Sequence, residues 1–257
     1  MVRTILITGA SSGIGRALAL HYAGAGRVLA LLGRNVERLE AVAVECRKLG
    51  ADVRTGVTDV CRRDETMKWI EDFDRASPID LLIANAGIME GTPPGGDIEH
   101  SDAAYGLMQI NVLGVLNTVQ PVLPAMMERG RGHIASVSSL AGFLPLPDAP
   151  SYSASKSAIM NYGLSLRALL APRGIGVSVV CPGYVETPMM LRESGAKPSK
   201  MAAEKAAVLI SRGIARNRPL IVFPFFFALV TRMSALLPDR IRRWTMRPFR
   251  FTVSPPN

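Results

Sequence analysis

Short apolar runs alternate along this chain with longer amphipathic stretches, and the alternation holds from Arg3 to about Pro224. Arg3–Thr8 opens the series, and Val28–Leu32, Val53–Val57, Ile79–Ile83, Gly132–Ser138, Val177–Cys181 and Leu220–Phe223 continue it. Runs this short and this rich in Val, Ile and Leu predict buried strands. Between them, helices are predicted from the glycine-rich turn ending at Gly15, over Asn35–Leu49, Asp64–Arg75 and Asp102–Glu128, and from Ser199 to about Ala215. In Asp102–Glu128, for example, Leu107, Ile110, Leu113 and Leu116 recur at near-helical spacing. Regular strand and helix alternation predicts an α/β fold, one doubly wound parallel sheet of about seven strands with helices on both faces. Pro188–Pro198 shows no helical period and reads as a mobile flap; Met89–His100, rich in Gly and Pro, reads as a loop bordering a cleft.

The chemistry begins where the first strand ends. Thr8-Gly9-Ala10-Ser11-Ser12-Gly13-Ile14-Gly15 carries three glycines into a helix start, which lets backbone approach a pyrophosphate at the helix N-terminus. Alone, such a turn can also be only a tight connection. The second strand ends in Gly33-Arg34-Asn35, where a dinucleotide fold meets the adenosine ribose. An acid there suits NAD, whereas Arg34 suits the 2′-phosphate of NADP or simply begins a solvated helix. Asn85-Ala86-Gly87 closes the fourth strand on the same ligand-binding side. After the sixth strand, Thr187 can reach a cofactor or cap the next helix.

Tyr152 and Lys156 lie four residues apart, so on a helix a phenol and an ammonium project from one face. A neighbouring Lys charge favours the phenolate, which would let Tyr152 exchange a proton with a substrate oxygen. Ser139, at the C-terminal end of the fifth strand, can donate to that oxygen. A Tyr-x-x-x-Lys pair alone is weak evidence. Asn111, a polar residue in a core-facing helical run, needs a partner and reads by itself as a structural bridge.

Taken in order, Thr8 to Gly15, Asp59, Asn85-Ala86-Gly87, Asn111, Ser139, Tyr152, Lys156 and Pro182-Gly183 make the chain from about Arg3 to Pro224 resemble the classical short-chain dehydrogenase/reductase family. The resemblance implies a Rossmann-type domain over residues 1–224 and hydride transfer between a nicotinamide and a carbonyl or alcohol carbon. It implies that Tyr152 is the acid/base, that Lys156 binds the nicotinamide ribose and lowers the Tyr152 pKa, that Ser139 steadies the substrate oxygen and that Asn111 anchors a water of the proton relay. Ser138 is the less suitable serine, because the family places its serine thirteen residues before the tyrosine, which is Ser139. For the cofactor it implies contacts from Gly9, Ser11, Ser12, Gly13, Ile14 and Gly15 at the phosphates. It places Arg34, Asn35, Asp59, Val60, Asn85, Ala86 and Gly87 on the adenosine side, and Pro182, Gly183, Val185 and Thr187 with Tyr152 and Lys156 near the nicotinamide. NADP(H) is the expected cofactor, with NAD(H) as the alternative. Leu140, Phe143, Leu144, Leu146, Met189, Met190 and Leu191 would line or cover the cleft, which favours an acyl, polyketide or sterol-like ketone or secondary alcohol. A sugar or polar-metabolite dehydrogenase and a non-catalytic NADP-binding sensor or membrane adaptor are the competing readings.

Composition changes the picture mainly at the end of the chain. The net charge is +9, and Pro219–Asn257 holds six Arg against one Asp, a local +5. So concentrated a charge argues for one basic edge and against a nucleic-acid partner. Cys46, Cys61 and Cys181 have neither disulfide nor zinc spacing, so no metal is expected. The first residues lack the pattern of a signal peptide, and a cytoplasmic location is expected, free or peripheral on the inner face of the membrane. Residues 225–257 form an apolar, Arg-rich extension. There Phe226, Leu229, Val230, Met233, Leu236 and Leu237 share a helical face, and Asp239 would cap a helix carrying Arg240, Arg242, Arg243 and Trp244. Such a face suits an anionic membrane surface, a subunit contact or packing on the domain itself. The expected assembly is a homodimer or homotetramer.

Overall fold

The computed structural model describes residues 2–226, 238, 240, 241 and 250–254. From the N-terminus run β1 (Thr4–Thr8), α1 (Gly13–Tyr22), β2 (Val28–Gly33), α2 (Val36–Lys48), β3 (Asp52–Val57), α3 (Arg63–Ala76) and β4 (Leu81–Ala84). A long broken helix follows, made of α4 (Ser101–Met108), α5 (Gly114–Val119) and α6 (Leu123–Arg129). Then come β5 (Gly132–Val137), α7 (Pro150–Leu170), β6 (Ile175–Pro182), β7 (Val185–Glu186), α8 (Pro188–Leu191), β8 (Met201–Ala202), α9 (Ala203–Ala215) and β9 (Leu220–Phe223). Seven strands hydrogen-bond in the order β3-β2-β1-β4-β5-β6-β9, every pair parallel. The predicted architecture is therefore the observed one. Strand order reverses between β1 and β4, and a crevice opens at their C-terminal ends, where open α/β sheets take their ligands.

Alternate residues of each strand enter opposite layers. Ile5, Ile7, Leu81 and Ile83 pack with α1, α2 and α9, whereas Leu6, Leu82, Ile134 and Val177 pack with α3, α5 and α7. A third apolar cluster, Met89, Leu107, Ala141, Ala149, Tyr152, Phe251 and Val253, sits apart from these two and contains Tyr152.

Four details differ from the sequence expectation, each for a local reason. β4 begins at Leu81 rather than Ile79, because Asp80 turns its carboxylate to the backbone N–H groups of Arg3 and Thr4 at 2.8 and 3.1 Å. The helix expected over Asp102–Glu128 is interrupted by a π-turn at Gln109–Leu113 and a tight turn at Gln120–Val122, where Pro121 has no N–H to give. Among the described residues, Ser101–Arg129 is long and apolar enough to cross a membrane by length and composition alone; here it packs on α3 and α7 as a core helix. α9 starts at Ala203, not Ser199, since Ser199 has φ +55 and Met201–Ala202 pair with β7.

The fourth detail concerns the flap and the tail. The expected flap contains a helical turn, α8, and is stapled down. Arg192 donates to both carboxylate oxygens of Glu90 at 3.0 and 2.9 Å, to the Met89 carbonyl at 3.2 Å and to the Ser254 carbonyl at 2.8 Å. Residues 250–254 return to the domain, where Val253 N donates to Thr92 O at 2.9 Å and the Arg250 guanidinium pairs with buried Asp148 at 2.6 Å. Apart from Phe226 and Arg240, the residues named for the amphipathic tail lie outside the described ones.

Candidate active site

A cavity of about 770 Å³ runs along the C-terminal ends of the strands, from Arg34 and Arg38 past Tyr152 to Leu146, Met189 and Phe251. At its centre the glycine turn is held without room for side chains. Gly9 and Gly13 have φ +65 and +54; a Cβ on Gly9 would lie 2.9 Å from Ala86 Cα, and one on Gly15 2.2 Å from Gly9 O. Ser12 stands at the N-cap of α1 without a side-chain capping bond, and the first turn carries no acid. Ser11, Ser12, Gly13 and Ile14 line the cavity there, so the start of α1 offers backbone N–H groups and its positive dipole end to an anion.

Asn85 stitches β4 to β1. Its amide donates to Thr8 O at 2.9 Å and Gly9 O at 3.3 Å, and Thr8 Oγ1 accepts from the N–H groups of Asn85 and Ala86 at 3.1 Å each. Gly87 fits between Asn111 and Lys156, with a Cβ placed there lying 3.1 Å from Asn111 Oδ1 and 3.3 Å from Lys156 Nζ. Val60 is braced by Asn117, which donates to its carbonyl at 2.8 Å.

At the adenosine end the Arg34 guanidinium sits 3.5 Å from Asp59, and Asp59 also accepts from Cys61 N at 3.0 Å. Burial opposes ionisation of Asp59, but the Cys61 hydrogen bonds and the Arg34 charge outweigh it and hold the carboxyl below its ordinary range. Asn35, expected as a cofactor contact, lines the cavity but commits its side-chain oxygen to capping α2, accepting from Arg38 N at 2.8 Å. Arg38 itself was not anticipated. The readable signal was its spacing, one helical turn beyond Arg34.

The reactive side chains converge from β5 and α7. Ser139, Tyr152 and Lys156 all line the cavity, and Tyr152 and Lys156 are 8% and 6% exposed. Burial raises the Tyr152 phenol well above its ordinary value; a hydrogen bond with Ser139 opposes the rise, and the charges of Glu193 and Tyr184 add to it. Lys156 Nζ lies 5.6 Å from the centre of the Tyr152 ring and donates to Val137 O at 3.2 Å. Burial brings its pKa down to about 8. Burial is the largest influence on the Tyr152 phenol, which therefore holds its proton.

Asn111 and Gly15 are the two expected site residues that do not line the cavity. Asn111 Oδ1 accepts from Ile88 N at 2.8 Å, and its Nδ2 donates to Ile88 O at 2.9 Å and Ser155 Oγ at 3.1 Å. Its side chain is the structural bridge that a buried polar residue in a core-facing run requires. Gly15 stands behind Gly9 as a packing position. Thr187 lines the cavity and caps α8, accepting from Met190 N at 3.2 Å.

Of the apolar residues expected at the cleft, Leu140, Leu144, Leu146, Met189 and Met190 line it, whereas Phe143 does not and Leu191 is 75% exposed. Phe251, Tyr184 and Glu193 join the lining unannounced. Nothing in the local sequence pattern around Phe251 signals that it folds back across the domain. Among the described residues no group of His, Cys, Asp and Glu is arranged to hold a metal.

Fold and site together define a dinucleotide-dependent oxidoreductase. The family profile described as short chain dehydrogenase matches residues 3–197. An uncharacterized oxidoreductase of Myxococcus xanthus is 37% identical over 92% of this chain and 93% of its own length. Estradiol 17-beta-dehydrogenase 11 of Rattus norvegicus is 30% identical over 92% of this chain and 80% of its own. The solved structure of a short-chain dehydrogenase from Sphingobium yanoikuyae in complex with NADPH superposes with a TM-score of 0.77 at 26% identity, covering 97% of both chains. The chain belongs to the short chain dehydrogenase family, and it is an oxidoreductase that uses a nicotinamide cofactor.

Proposed function

We propose that the protein is an NADP(H)-dependent ketone reductase for bulky apolar substrates. One observation carries this reading: a single cavity joins two arginines, Arg34 and Arg38, through the glycine turn and Tyr152 to an arm walled by Leu144, Leu146, Met189, Met190 and Phe251. Arg34 and Arg38 would hold the 2′-phosphate, and the start of α1 the pyrophosphate. Lys156 would hold the nicotinamide ribose. When bound, the cofactor supplies the hydride that reaches the carbonyl carbon. Tyr152, kept protonated by burial, gives its proton to the carbonyl oxygen as that bond forms, so the product is a secondary alcohol and the phenolate is then reprotonated from solvent. Ser139 donates to the same oxygen and fixes its position. The apolar arm disfavours a sugar or other polar metabolite, and a binding-only sensor would have no use for the Ser139, Tyr152 and Lys156 set. Fluorescence titration with NADPH and NADH, followed by a ketone panel from short polar to bulky apolar, tests the proposal. Tighter NADPH binding with turnover of the bulky ketones is expected; preference for NADH, or turnover confined to polar ketones, contradicts it.

The proposal extends to location. Leu191 and Phe225, both 75% exposed, adjoin in sequence the cavity-lining Met190 and Pro224, and the Arg-rich segment follows. Exposed apolar side chains followed in sequence by an Arg-rich segment support peripheral contact of a cytoplasmic homodimer or homotetramer with an anionic membrane. Sedimentation with vesicles containing phosphatidylserine, set against neutral vesicles, checks this.

A further inference from the structure

Among the described residues the apolar arm contains one carboxyl group. Glu193 lines the cavity with Leu144, Leu146 and Met190, and its backbone is fixed on three sides. Its N–H donates to Met190 O at 3.3 Å, its carbonyl accepts from Lys197 Nζ at 2.6 Å, and it forms an antiparallel bridge with Val253. Among the described residues the Glu193 carboxylate has no hydrogen-bond or ion-pair partner. The nearby cations are engaged elsewhere: Arg192 with Glu90 and two carbonyls, Lys197 with that backbone carbonyl. Among the described residues, the titratable groups that face it are Tyr152 from α7, Tyr184 from the segment between β6 and β7, and Lys197 four residues on.

Glu193 is half-buried, so its carboxyl keeps contact with solvent in the cavity, and a ligand that displaces this water must supply a hydrogen bond in its place. We propose that Glu193 is a specificity-determining residue that takes a hydroxyl group of the substrate. The preferred substrate is then a bulky ketone carrying one further hydroxyl, away from the reacting carbonyl. This rests on the ketone-reductase reading of the same site and narrows it. A hydroxyl fits better than an ammonium, which would shed its water in an apolar cavity. Burial also raises the Glu193 pKa to about 7, opposed by the Lys197 charge, so near neutrality the group both accepts from and donates to a hydroxyl.

The test uses decalone and a hydroxydecalone whose hydroxyl lies on the ring remote from the ketone, and it reads the ratio of their kcat/KM values within each protein. Taking the ratio cancels effects on folding, cofactor binding and the Tyr152 proton, which act on both ketones. The wild type is expected to favour hydroxydecalone by about tenfold or more, and Glu193→Leu to bring the ratio close to one. Because a carboxylate accepts more strongly than the acid, the wild-type ratio should rise as pH passes about 7, and Glu193→Gln should keep a smaller, pH-independent ratio. A wild-type ratio near one, a preference that survives in Glu193→Leu, or a pH dependence that survives in Glu193→Gln overturns the inference. If the wild type with bound NADPH turns over neither ketone, the reductase reading fails instead. Calorimetric affinities of the two ketones for the NADPH complex then decide the role of Glu193 by the same ratio.

Discussion

Ser138 donates its hydroxyl to the backbone carbonyl of Lys156 at 2.7 Å, inside the protein. This bond ties the end of β5 to the middle of α7, so the strand that presents Ser139 and the helix that presents Tyr152 and Lys156 are held in register. Gly142 closes the same junction, where a Cβ would approach Lys156 O to 3.0 Å and Ser138 Oγ to 3.1 Å. The two adjacent serines thus divide the work: Ser138 positions the helix, and Ser139 faces the cavity.

Ser138→Ala should therefore cost about 1 kcal/mol of folding stability, with kcat falling by no more than about tenfold. Ser139→Ala, which loses the bond that its hydroxyl accepts from Ala141 N at 3.1 Å, should cost no more stability than that bond supplies and lower kcat by about a hundredfold. Urea unfolding and steady-state kinetics on both variants separate these roles, and an exchange of the two phenotypes would refute the assignment.

Lys156 gives stability a pH signature. Its pKa falls from 10.5 to about 8 on burial, so the folded protein releases this proton before the unfolded chain does. The contribution is fully present above 10.5 and is lost as pH falls through about 8. Across this window the wild type should gain stability relative to Lys156→Met as pH rises. Urea midpoints of the two proteins measured at several pH values check this, and parallel curves would show that Lys156 is not buried as described.

Arg34 and Arg38 form the phosphate-reading end of the proposed site. Arg34→Asp should weaken NADPH binding by about a hundredfold while changing NADH binding by less than about tenfold, and Arg38→Ala should have the same direction with smaller size. Fluorescence titration with both nucleotides measures the ratio. An unchanged ratio would remove the basis for NADP preference.

Phe251 lines the cavity, 8% exposed, in the returning segment 250–254, the strap, whose Arg250 pairs with Asp148, 102 residues away in the chain. Phe251→Ala should raise KM for decalone by about tenfold and leave NADPH affinity within about twofold. Equal losses for ketone and nucleotide would indicate general loosening of the domain.

The sheet and its order of elements were readable because each strand of the main sheet is a short apolar run and the stretches between them are amphipathic. Tyr152, Lys156 and Ser139 were readable through the ordered motifs that carry the family resemblance, local spacing alone being weak evidence. What could not be read depends on contacts between distant segments. Arg192 meets Glu90 across 102 residues, and Phe251 reaches the cavity only because Asp148 and Thr92 hold the strap. Polar residues were also ambiguous: the resemblance gives Asn35 a cofactor contact and Asn111 a place in a proton relay, and their side chains cap α2 and bind the Ile88 backbone, as the sequence alone reads Asn111. Desolvation of the Tyr152 phenol, the largest influence on its pKa, depends on the packed fold and has no local sequence signal.

The central claim is that Tyr152 delivers the proton while hydride passes from NADPH to a bulky ketone. The most direct measurement incubates the wild type and Tyr152→Phe with decalone and NADPH deuterated at the transferring carbon, then follows label in the alcohol by mass spectrometry. The account predicts one deuterium on the carbinol carbon with the wild type and a loss of at least about a hundredfold in rate for Tyr152→Phe, whose NADPH affinity stays within a few-fold. Unlabelled product, or a Tyr152→Phe variant as fast as the wild type, would contradict it.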